Sequence, residues 1–125
     1  MNRLLACATV VCVASACGGG NSGGGTTPSP APAAVITITS AGASPRTVTV
    51  ARGSQVQFVN NDSRSHQMNS DPHPDHTDCP ELNQVGFLSP GSSRQTGNLN
   101  TARTCRFHDH DLPGNTSLQG AIVIQ

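Results

Sequence analysis

The chain has 125 residues, enough for one domain, with seven basic and seven acidic side chains, no lysine, no tyrosine and no tryptophan. A net charge of zero carried on scattered Arg and Asp excludes a basic stripe for nucleic acid and a polybasic membrane patch, and three phenylalanines offer no stacking platform for bases or sugars. Val, Ile and Leu must build the core.

Met1-Asn2-Arg3 is a short positive start, and Leu4 to Ala14 is an apolar run too short to span a bilayer. Ala14-Ser15-Ala16-Cys17 closes that run with small residues, so residues 1–16 read as an export signal. Cys17 directly after them resembles the lipobox of bacterial lipoproteins, with Ala14 where the usual Leu stands. The resemblance implies lipidation of Cys17 and a domain held to the bacterial cell envelope, facing the periplasm or the exterior, touching the membrane through its lipid anchor only. Residues 17–34 hold that cysteine and a Gly/Ser/Pro-rich tether with a reach of about 20–25 Å. Cys7 and Cys12 leave with the signal, so only Cys79 and Cys105 remain in the domain. Two leftover cysteines in an oxidising compartment invite a disulfide.

Residues 35–125 change to short β-branched runs separated by turn residues. Val35 to Thr39 and Arg46 to Val50 alternate threonine with aliphatics, and Gln55 to Asn60 directs Val56 and Phe58 to one face. Ala41 to Pro45 reads as a loop, and Asn60 to His66 as a polar loop that ends in histidine. Ser70 to Pro80 holds His73, His76 and Cys79 among prolines and aspartates that forbid a regular helix or central strand. Val85 to Leu88, Gly91 to Leu99, Thr101 to Phe107 and Gly120 to Gln125 complete an all-β set of about seven or eight strands, with no helix expected.

Cys105 and His108 stand three residues apart between two apolar strands. A thiolate and an imidazole are donors that suit copper, and also zinc. His110 adds an imidazole close by, while Asp71, Asp75, Asp78 and Asp109 could orient rings from behind. A Cys79–Cys105 disulfide would remove the thiolate and leave a site of nitrogen and oxygen donors.

The run from Pro45 to Asp62, with Val56-x-Phe58-x-Asn60 followed by His66, resembles the front half of cupredoxins of the plastocyanin and azurin type. Ser89-Pro90-Gly91, Cys105-x-x-His108 and Leu118-x-Gly120 resemble the back half, in order. The resemblance implies a cupredoxin-like Greek-key β-sandwich binding one type 1-like copper ion through His66, Cys105 and His108. Leu118 falls at the axial position, where it offers no donor atom. His73, His76, Cys79 and His110 are departures from the family pattern and candidates for an additional or alternative metal position.

Two functions compete. One is one-electron transfer outside the cytoplasmic membrane, with a redox partner protein; the other is copper storage, delivery or resistance through a His-rich site, with a Cys79–Cys105 disulfide and a copper acceptor. A monomer is expected, and an enzyme is not: there is no Gly-x-Ser-x-Gly, and Glu81 is the lone glutamate.

Overall fold

Alternation along Val35-Ile36-Thr37-Ile38-Thr39 leaves Ile36 and Ile38 fully buried while the threonines are only partly covered. The same period repeats through the computed structural model, which describes residues 30–125. The signal-like stretch, Cys17 and the tether up to residue 29 lie outside the described residues. The described chain forms nine strands: β1 (Ala34–Thr39), β2 (Gly42–Ser44), β3 (Thr47–Val50), β4 (Val56–Asn60), β5 (His66–Ser70), β6 (Gly86–Leu88), β7 (Ser93–Gln95), β8 (Arg103–Asp109) and β9 (Gly120–Ile124).

They make two sheets, ordered β2-β1-β4-β7 and β3-β9-β8-β5-β6. β1 runs parallel to β4 and β3 parallel to β9, so the chain crosses between sheets and does not simply meander. The aliphatic core lies between the sheets. Phe58 of β4 meets Phe107 of β8 edge to face, with centroids 5.2 Å apart, which joins the two layers. Gly120 is required where β9 begins, because any Cβ there would collide with the Arg46 carbonyl and the Phe107 ring.

The structure departs from the expected elements in three places. β2 lies inside the expected Ala41–Pro45 loop; three residues are too few to show a period, and the strand exists by pairing with Thr37 to Thr39 of β1. β5 starts at the histidine expected to end a loop, and partners on both sides, β6 and β8, hold this polar segment in the sheet. β8 runs two residues beyond Phe107, so His108 and Asp109 are strand residues. Short 3-10 turns occur at Leu82–Gln84 and Thr116–Leu118. Among the described residues no helix is long and apolar enough to cross a membrane.

Candidate metal centre

The extension of β8 decides which side chains can meet. Cys105, Phe107 and Asp109 point toward the core, while Arg106 and His108 point to the opposite, outer face. The ladder pairs Met68 with Asp109 and Asn69 with His108, so β5 sends His66 and Met68 inward and Gln67 and Asn69 outward.

On the inner face, His66 is almost fully buried between two carboxylates. Its Nδ1 lies 2.8 Å from Asp109 Oδ2 and its Nε2 lies 3.1 Å from Asp62 Oδ2. Both ring nitrogens are thus already within hydrogen-bond distance of a carboxylate, and a metal ion would have to displace one of these contacts. Asp109 Oδ1 also accepts from the backbone N–H groups of Gln67 and Asp111, at 3.1 Å each. Asn60 shapes the loop that delivers Asp62: its side-chain amide donates to the Arg64 and Leu88 carbonyls, and its oxygen accepts from Asp62 N–H. Burial alone would raise the Asp62 pKa; the His66 hydrogen bond and charge, with the backbone N–H groups of Ser63 and Arg64, outweigh it and hold the carboxyl below its ordinary 3.8. Leu118 and His66 line one small polar cleft, together with Asp62 and Arg64.

Cys105 is bonded to Cys79, with Cα atoms 5.5 Å apart. The set implied by the resemblance is therefore not assembled. Cys105 has no free thiolate, His108 faces away from His66, and the β8 residue that touches His66 is Asp109. Asp109 lies four residues along β8 from Cys105, a distance of about 13 Å.

On the outer face the ring nitrogens of His73, His76, His108 and His110 converge, with one from each residue within 4.8 Å of all the others. His108 and His110 come from β8 and its first residue beyond, where His110 N–H still donates to the Gln67 carbonyl at 2.7 Å. His73 and His76 come from the loop after β5. That loop is fixed at its backbone: the His76 carbonyl accepts from the Asn83 side-chain amide at 2.7 Å and from Ser70 Oγ at 3.0 Å. Asn83 Oδ1 in turn accepts from Ser70 N–H at 2.8 Å. These bonds hold His76 at φ 53°, a left-handed conformation that a non-glycine residue keeps only when its surroundings enforce it. The disulfide ties the far end of the same loop to β8.

His108 Nδ1 donates to Asp71 Oδ1 at 2.7 Å, which fixes the tautomer and leaves Nε2 as the free donor atom. That Nε2 is buried and has no hydrogen-bond partner among the described residues. His110 Nδ1 and His76 Nε2 lie 3.1 Å apart, so one proton bridges two potential ligand atoms, and a metal would take its place. Burial comes first, then the charges of His108, His110 and His73, in lowering the His76 pKa below 6.5; Asp75 opposes weakly. A metal ion needs its imidazole ligands unprotonated, and the lowered His76 pKa favours that form at this ring. Nitrogens about 2.0–2.1 Å from a shared ion lie some 3–4 Å from one another, so the cluster closes on an ion by small ring movements.

Of the carboxylates expected to orient rings, Asp71 holds His108 and Asp109 holds His66; among the described residues Asp75 and Asp78 make no side-chain hydrogen bond to a histidine. Asp62, Asn69 and Asn83 were not anticipated. Asp62 carried a usable signal, standing four residues before His66 in a turn-forming Asn-Asn-Asp run.

Replacing Cys79 and Cys105 with alanine should lower stability by about 3 kcal/mol for a closure of 26 residues, read by urea denaturation, and should loosen the histidine loop. Asp71→Ala should weaken metal binding about 10- to 100-fold by freeing the His108 tautomer, measured by competition with a chelator.

No protein-family model matches the sequence, and no curated protein matches it. Solved structures do. A purple cupredoxin from Nitrosopumilus maritimus superposes with a TM-score of 0.57 at 16% identity, over 74% of this chain and 99% of that one. Oxidised plastocyanin from Dryopteris crassirhizoma gives 0.56 at 18% identity, over 73% and 99%. An oxidised amicyanin with a methionine-to-leucine substitution gives 0.57 at 18%, over 74% and 82%. A two-sheet sandwich with these neighbours has the cupredoxin fold, and this chain carries its histidine cluster on the outer face of the five-stranded sheet.

Proposed function

We propose that this is an exported copper-binding protein of the bacterial cell envelope, which holds one Cu(II) ion on His73, His76, His108 and His110 and passes it to a copper acceptor. The observation that carries the reading is the convergence of four imidazoles around the buried, unpartnered Nε2 of His108, while both domain cysteines are joined to each other. Four nitrogen donors without sulfur suit Cu(II), which also leads the affinity order among divalent first-row ions. The disulfide supports an oxidising compartment, in line with the export signal and Cys17 lipidation expected from the sequence.

The experiment is equilibrium dialysis of the purified protein against Cu(II), followed by mixing with a stronger chelator. One ion per chain, retained on dialysis and released within seconds to minutes to the chelator, is the expected result. No retained copper would sink the proposal.

One-electron transfer is the second reading, favoured by the plastocyanin and amicyanin structures that share the fold. It requires the Cys105 thiolate beside a histidine, so an intense visible band appearing only after disulfide reduction would favour it.

A further inference from the structure

His108 Nε2 is not the sole orphan on the outer face. Asn69 Oδ1 is also buried without a hydrogen-bond partner among the described residues, although Asn69 lies on the sheet face turned away from the core. Asn69 stands directly opposite His108 in the β5–β8 ladder, which brings the two Cβ atoms to about 4.5–5.5 Å. The ladder continues through the His110 N–H to Gln67 bond, so His110 is the diagonal neighbour of Asn69 on the same face. A buried carbonyl oxygen with no donor costs free energy unless something in the working protein supplies one. An imidazole carries Nε2 farther from its Cβ than an asparagine carries Oδ1. The shorter asparagine side chain would therefore meet an ion held by His108 through a water molecule rather than directly.

We infer that Asn69 is a positioning residue of the metal centre, whose side-chain oxygen holds a water on the ion as a fifth, exchangeable ligand. This rests on the reading that the four histidines hold copper. Four nitrogens and one oxygen form the tetragonal donor set that favours Cu(II), whereas Cu(I) has little use for a water ligand. Asn69 thus sets the preference for the oxidised ion. It also keeps one coordination position that an acceptor's ligand can enter without first displacing a histidine.

The test is Asn69→Leu, of similar size and without the oxygen, beside Asn69→Asp, in the full chain. Cu(II) and Cu(I) affinities are read by chelator competition, the Cu(II) environment by electron paramagnetic resonance, and the metal-free fold by thermal melting. Expected are a Cu(II) affinity lowered about 10-fold or more in the leucine variant with an altered resonance spectrum, and an unchanged Cu(I) affinity. The metal-free melting temperature should be equal or higher, because an unsatisfied buried acceptor has been removed, and the aspartate variant should retain Cu(II). Unchanged Cu(II) affinity and spectrum in Asn69→Leu would overturn the inference while leaving the four-histidine site intact. A lowered metal-free melting temperature that accounts for the lost affinity would overturn it in favour of a structural role. A wild-type chain that binds no Cu(II) would overturn the histidine site itself.

Discussion

His108→Ala should lower Cu(II) affinity by more than about 100-fold, a larger loss than removing a partner that only orients a ligand. His108 is the ring on which the cluster is built: it is buried, fixed by Asp71 and set on a central strand, whereas His73 is an exposed loop residue. His73→Ala should therefore cost less. His66→Ala should leave copper stoichiometry unchanged, since its nitrogens already serve Asp62 and Asp109. Isothermal titration of the three variants separates these outcomes, and equal losses at His66 and His108 would contradict the placement of the site. Acid should release the metal, because protons compete for the same nitrogens. In the metal-free protein the lowered His76 pKa means that the unfolded chain binds the extra proton first. Its stability should therefore fall as pH drops below 6.5.

Asp109→Ala carries the second large effect, a destabilisation of about 3–5 kcal/mol seen in urea melts, with folding retained or lost according to the reserve. Removing that carboxylate leaves the buried His66 ring facing only Asp62 and strips the Gln67 and Asp111 N–H groups of their acceptor. Asp62 lies nearer the surface, so its removal should cost less. Its folded pKa is depressed below 3.8, so its contribution is fully present above that value and is lost as pH falls through the lower folded value. A metal ion that bridged His66 and Asp109 would reverse this expectation, with added copper raising the melting temperature of the wild type but not of His66→Ala.

Much of the fold was legible because its signals are local. The threonine–aliphatic alternation of β1 and β3, the Val56-x-Phe58 face of β4 and the order of the later motifs all lead to the two-sheet sandwich. β5 was hidden because its sequence, His66-Gln67-Met68-Asn69-Ser70, has no apolar period; its neighbours on both sides make it a strand. The site turned on parity. A spacing of three puts Cys105 and His108 together if the chain loops after Phe107, but on opposite faces if the strand runs on to Asp109. Nothing local reveals where a strand stops, since the ladder to β5 decides it. The cluster of His73, His76 and His110, by contrast, was visible as a concentration of imidazoles, and the alternative disulfide was visible from cysteine arithmetic.

The most direct test of the outer-face centre is the visible absorption spectrum of the purified, non-reduced protein loaded with one equivalent of Cu(II). Four imidazoles and a water predict a weak band and no thiolate-to-copper charge transfer, with the band lost in His108→Ala and kept in His66→Ala. An intense blue or green band would place a cysteine sulfur on the metal and contradict both the disulfide and the outer-face site.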